Sequence, residues 1–167
     1  MARPIIVTAL FGQADNGWLQ DMRRAHFPPE RNQVPAHLTL FHQLPSSIED
    51  ELTRRLVDLA RLPPPQAIIS GIMDLGTGTA FRVESPQLTQ MREGLAQALH
   101  GLLGPQDRSP WSPHITIQNK VPPREAAALQ KQLQALFQPR PLAINGLATW
   151  RYLDGPWDPI RTHIFRG

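Results

Sequence analysis

The sequence predicts an α+β domain built from two halves of similar outline. Three observations carry that prediction. Short β-branched or alternating runs are interleaved with amphipathic stretches of helical period, and the proline clusters Pro28-Pro29, Pro63-Pro64-Pro65 and Pro122-Pro123 punctuate them. A four-residue strand pattern also occurs twice, as His37-Leu38-Thr39-Leu40 and as His114-Ile115-Thr116-Ile117. At 167 residues the chain suits a single domain, residues 1–167, of two lobes sharing an adequate core.

Taken in order, Ile5 to Phe11 is an apolar, β-branched run of the length of a buried strand. Gly12 to Gly17 breaks it, and Asn16 is the expected cap of a short helix from Trp18 to His26, ended by Pro28-Pro29. A loop then delivers the chain to the first motif strand, His37 to Leu44. Ser46, with Glu49 three residues on, has the spacing of a capping box, and Ile48, Leu52, Leu56, Leu59 and Ala60 repeat with a helical period. Gln66 to Leu75 and Thr79 to Glu84 read as a hairpin about Gly76-Thr77-Gly78, which lacks the spacing and the following Lys of a phosphate-cradling loop.

Pro86 opens a helix expected to reach Leu103, with Leu88, Met91, Leu95, Leu99 and Leu102 as its buried stripe. A loop containing Arg108 and Trp111 feeds the second motif strand, His114 to Lys120. After Pro122-Pro123 another helix runs to Phe137, followed by strands Leu142 to Tyr152 and Trp157 to Phe165 about a turn at Asp154-Gly155-Pro156. Residue identity between the halves is slight outside the tetrapeptides, so the repetition lies in the order of elements.

Composition narrows the chemistry. There is no cysteine, which excludes a disulfide framework and thiolate zinc ligation. All the cations but Lys120 and Lys131 are arginines, and the net charge is +3. Arginine is the better bidentate partner for phosphate, so the surplus is consistent with a phosphate-bearing ligand. Met1-Ala2-Arg3-Pro4 and the run after it do not read as a signal peptide, and no segment approaches a membrane span; a soluble, cytoplasmic protein is expected.

The repeated tetrapeptide is the sharpest signal. In an extended chain His and Thr project to one face, while the aliphatic residues between them anchor the strand from behind. Two such copies arise by chance in roughly one sequence in a hundred. Paired as they are, in a chain of this size without cysteine, these strands resemble the 2H phosphoesterase superfamily. Within it, the nearest resemblance is to the 2'-5' RNA ligases, or RNA 2',3'-cyclic phosphodiesterases. Its specific part is Pro35 to Leu44 and Ser112 to Lys120.

That resemblance implies a bilobal, pseudo-symmetric fold in which two antiparallel sheets face a central cleft with helices packed outside. It also implies catalytic His37 and His114, with Thr39 and Thr116 binding phosphate. The expected activity is hydrolysis of 2',3'-cyclic phosphate or 2'-5' linkages of RNA or nucleotides, with joining as the reverse. RNA ends or small cyclic nucleotides are the expected substrates, with no cofactor, no membrane and no obligate protein partner.

The chemistry follows from the residues too. Opening a cyclic phosphodiester in line needs a base for the incoming water and an acid for the departing ribose oxygen, and two imidazoles serve both tasks. Thr hydroxyls can donate to the non-bridging oxygens. No metal is required, and hydroxyl companions are poor zinc ligation.

Lys120, Arg82 and Trp111 are candidate substrate contacts; Gln118-Asn119 stand where family members often carry a basic residue. Trp111, Tyr152 and Trp157 are candidates to stack a base. His42, at the opposite strand parity from Thr39, is expected to point away and serve structure. Two rivals stay open: a non-catalytic RNA- or nucleotide-binding module with the same cleft, and an enzyme pairing one His with a carboxylate such as Glu84.

Overall fold

The computed structural model describes residues 3–167; Met1 and Ala2, the start of the N-terminal segment considered above, lie outside them. The elements follow as β1 (Ile5–Phe11), α1 (Gln13–His26), β2 (Leu38–Leu44), α2 (Glu49–Leu59), β3 (Gln66–Asp74), β4 (Thr79–Glu84) and α3 (Pro86–Ala98). The chain continues through α4 (Pro105–Arg108), β5 (His114–Gln118), α5 (Pro123–Leu136), β6 (Arg140–Tyr152) and β7 (Trp157–Ile164). The order β1-α1-β2-α2-β3 recurs as β4-α3-β5-α5-β6, with α4 inserted and β7 appended. No helix among the described residues is long and apolar enough to cross a membrane.

Every strand pairing is antiparallel. One sheet runs β2-β1-β6 with β7 along β6; the other runs β5-β4-β3. The last strand of each series pairs with the first strand of the other: β6 lies along β1, and β3 along β4. The two sheets meet edge to edge, where Leu38 opposes Ile115 and where Gln66–Ile69 oppose Arg140–Ala143. The two expected sheets are therefore the halves of one closed, barrel-like ring.

Burial follows the sequence periods. Leu38 and Leu40 on β2, and Ile115 and Ile117 on β5, are fully buried, while the His and Thr residues between them are only partly so. The helices bury Leu52 and Leu56, Leu88 and Leu95, and Ala126 and Leu129 against the strands. Buried apolar side chains of both halves form one continuous cluster that includes Ile5, Phe41, Ile69 and Ile115. At about 1.5–3 kcal/mol for each fully buried aliphatic side chain, this shared core fixes the relation between the motif strands.

Three helix boundaries differ from the sequence reading. Helix α1 starts at Gln13, capped by Gly12 without a side-chain bond, so Asn16 lies inside it. The cause is tertiary: Asp15 accepts from the Ala143 N–H at 2.8 Å and pairs with Arg140 at 3.1 Å. Gly12 presses so closely on β6 that a Cβ there would lie 2.9 Å from that of Ala143. The capping box does not form, because Ser46–Ile48 make a 3₁₀ turn and Glu49 pairs instead with Arg151 at 2.7 Å. Helix α3 stops at Ala98 and the chain continues as a 3₁₀ turn, His100–Leu102.

Candidate active site

Both motif histidines are set by the same local device. His37 Nδ1 lies 2.7 Å from the Pro35 carbonyl oxygen, and His114 Nδ1 lies 2.7 Å from that of Ser112. A carbonyl only accepts, so Nδ1 of each ring carries the proton and donates. Each imidazole is thereby fixed in one tautomer with Nε2 left for chemistry. The curl just before each histidine is where the sequence carries its prolines, Pro35 two residues before His37 and Pro113 one residue before His114.

The motif strands are also braced, each from a helix of the other half. Arg23 of α1 donates to the carbonyl of Thr116 at 2.9 Å and to Asn32 Oδ1 at 2.8 Å. Arg92 of α3 donates to the carbonyl of Leu40 at 3.1 Å and to that of Asp107 at 2.7 Å. Both arginines are buried, and both stack on aromatic faces, Arg23 on Phe27 and Arg92 on Phe41. Desolvation pushes Arg23 down to about 10 and lowers Arg92 as well, yet both guanidinium groups stay charged at neutral pH. The Trp111 indole adds a third tie, donating to the Thr39 carbonyl at 3.0 Å.

The four motif side chains converge. His37, Thr39, His114 and Thr116 line one cavity of about 350 Å³, together with Arg92, Trp111 and Trp157. No carboxylate is among its described lining residues, so the field inside suits an anion. The His37 ring packs on Trp157 with centroids 4.5 Å apart, and Trp157 leans on Trp150. Desolvation pushes His37 down to about 4; the Pro35 bond opposes this, and the nearby charges of Arg23, His42 and His114 add to it. His37 is therefore neutral at pH 7.

His42 is not where strand parity puts it. Residues Phe41 and Thr39 oppose the consecutive residues Val7 and Thr8, so β2 carries a bulge at Leu40-Phe41. A bulge advances one strand by a residue and reverses its alternation. Leu40 and Phe41 are consequently both buried, and His42 lines the same cavity as Thr39. Its backbone N–H and its Nδ1 bond Asp107 Oδ1 at 2.8 and 3.1 Å, and the Gln43 N–H bonds Oδ2 at 3.0 Å. Burial works to raise the Asp107 carboxyl, but these bonds outweigh it and hold the group below the usual carboxylate range.

Of the other candidates, Trp111 and Trp157 line the cavity. Lys120 does not: it sits exposed beyond β5 in the left-handed region, φ 62°. Arg82 opposes His114 across the ladder, but it is exposed and its guanidinium extends over Gly71 on β3, away from the cavity. Tyr152 is exposed and outside it. Glu84 lines a separate, wider depression of about 920 Å³ beside α3, which removes it as a partner for either motif histidine. Among the described residues, no three His, Asp or Glu side chains stand together as a metal-ligand set.

Arg23, Arg92 and Asp107 are the residues sequence reasoning missed. The arginines left a trace, for each occupies a position four residues after a buried leucine, Leu19 and Leu88, on the apolar stripe of its helix. A long cation on such a stripe has to find buried acceptors.

A family model described as the 2'-5' RNA ligase superfamily matches residues 11–156. No curated protein matches this chain. Among solved structures, TT0787 of Thermus thermophilus is similar at a TM-score of 0.68 and 20% identity, covering 98% of each chain. Escherichia coli LigT complexed with 3'-AMP is similar at 0.65 and 16% identity, covering 100% of each chain. LigT complexed with NADP+ gives 0.64 and 15% over 99% of each. The family match spans both motif strands and strands β3 to β6, and the chain belongs to the 2'-5' RNA ligase superfamily of 2H phosphoesterases.

Proposed function

We propose that this protein is a metal-independent phosphodiesterase that opens 2',3'-cyclic phosphate ends or 2'-5' linkages of RNA or nucleotides. The observation that carries this reading is the pair of imidazoles, each locked by an identical Nδ1 bond, sharing one cavity with two Thr hydroxyls. His37, neutral at pH 7, takes the proton of the attacking water through Nε2. The new P–O bond forms as the bond to one ribose oxygen breaks, and His114, entering the step as the imidazolium with Nδ1–H still on the Ser112 carbonyl, gives its Nε2 proton to that departing oxygen. Thr39 and Thr116 donate to the non-bridging oxygens as charge gathers on them. Run backward, with a ribose hydroxyl in place of water, the same groups join two ends.

A panel of nucleoside and oligonucleotide 2',3'-cyclic phosphates, incubated in a chelator with wild type, His37→Ala and His114→Ala, tests the proposal. The expected result is a phosphomonoester product from wild type and its loss in both variants. Saturable nucleotide binding without any phosphomonoester at any pH would instead establish a binding module. That outcome is worth testing because the LigT structures complexed with 3'-AMP and NADP+ associate nucleotides with this fold.

A further inference from the structure

The cavity contains one imidazole more than the proposed reaction uses. His42 reaches it only through the bulge in β2, and behind it stands a carboxylate that is 1% exposed. Burying a carboxylate is costly unless its lone pairs are filled, and all three described bonds to the Asp107 carboxylate come from His42 and Gln43. A latch of α4 to β2 alone would need only the two backbone N–H groups. The third bond fixes the ring: Nδ1–H donates to the carboxylate, so Nε2 is the nitrogen left for the cavity, and in the imidazolium form, whose charge the Asp107 carboxylate balances, its N–H donates to an anion there. Arg92 lines the same wall, donates to the Asp107 carbonyl and offsets the charge of its carboxylate.

The other motif strand has no such group. The residue five positions after His37 is His42, whereas five after His114 comes Asn119, whose side chain bonds Thr77 and the Lys120 N–H beyond the end of β5. The surplus is one-sided. A single phosphate held between His37 and His114 is already supplied with acid, base and two hydroxyl donors. An added donor at the side of such a site suits a second anionic group.

We infer that His42, oriented by Asp107, is a binding residue for a second phosphate, so that the cleft takes nucleotides or oligonucleotides carrying a phosphate besides the reacting one. This rests on the same cleft as the proposed phosphodiesterase but is tested without turnover. Calorimetry compares adenosine 3'-monophosphate with adenosine 3',5'-bisphosphate on wild type, His42→Ala and His42→Gln, with thermal melting of each. Wild type is expected to bind the bisphosphate about tenfold more tightly, the usual scale of one hydrogen bond to a charged group, and both variants to lose most of that ratio. In unmutated protein, the bisphosphate and not the monophosphate is expected to shift the His42 Nε2 resonance.

Equal affinity of wild type for the two ligands would overturn the inference. A ratio that survives in folded His42 variants, or an unmoved Nε2 resonance, would do the same. Protein that binds the bisphosphate through His42 yet hydrolyses no cyclic phosphate would sink the catalytic proposal and leave this inference standing.

Discussion

The two motif strands are alike in what they hold and unlike in what surrounds them. On each, a histidine is pinned by the carbonyl two residues before it, a threonine follows on the same face, and an arginine from the other half grips the strand from behind. Both strands are bulged just after the threonine, for Gln118 and Thr116 oppose the consecutive Thr79 and Ala80 as Phe41 and Thr39 oppose Val7 and Thr8. Yet β2 runs on past its bulge to an extra cavity-facing imidazole and places His37 against Trp157, whereas β5 ends at Gln118 with no further imidazole. Under the proposed reaction, the parts held in common would bracket a phosphate from two sides, and the surroundings that differ, Trp157 beside His37 above all, would set which imidazole takes a proton and which gives one.

That comparison can be broken or sharpened by experiment. The largest effect is expected from removing either motif histidine: a general acid or base contributes about a hundred- to ten-thousandfold, so His37→Ala and His114→Ala should each lose that much in kcat/KM. A variant at either position that kept near wild-type turnover would end the claim that both strands contribute chemistry. Next come Thr39→Val and Thr116→Val, each removing one donor to developing charge, with an expected loss of about a hundredfold in kcat. If the two losses differ greatly, the phosphate is not held evenly between the strands.

The braces should be costly in stability. Arg23→Met or Arg92→Met leaves a strand carbonyl without its charged donor and is expected to lower unfolding free energy by about 2–3 kcal/mol, read from urea titration. Similar losses would match the paired arrangement; a silent substitution would make one brace ornamental. Smallest is a pH effect. A base held near 4 stays unprotonated and active far below 6.5, so the acid limb of kcat/KM should fall near pH 4. Trp157→Ala, by admitting water to the ring, should move that limb upward toward 6.5. The same lowered value makes the unfolded chain take this proton first, so stability should decline as pH falls from 6.5 toward 4.

Much of this was legible in the sequence. The succession of strands and helices along the chain, the helical stripes and both motif tetrapeptides are local patterns, and they read directly. What did not read was set by contacts distant in the chain. The bulge that brings His42 into the cleft comes from the pairing of β2 with β1, and strand parity alone points the ring the wrong way. Asn16 and Ser46 have the chemistry of helix caps, but Asp15 and Glu49 are drawn off to Arg140 and Arg151 in a strand more than 100 residues later. Lys120 and Arg82 are close in sequence or register to the second motif yet stand outside the cavity, because proximity along a strand says nothing of where a long side chain turns.

The exchange of closing strands between the halves bears on biosynthesis. A ribosome delivers β1 early, but the neighbour that covers one of its flanks, β6, arrives some 140 residues afterwards and seals β3 with its other end. Until then that flank of β1 and the outer flank of β3 stand open, and β7 has nothing to dock on. Translation arrested short of Arg140 should yield a chaperone-dependent, inactive fragment, and supplying β6-β7 in trans as a peptide should restore phosphate capture only where that missing stave is inserted.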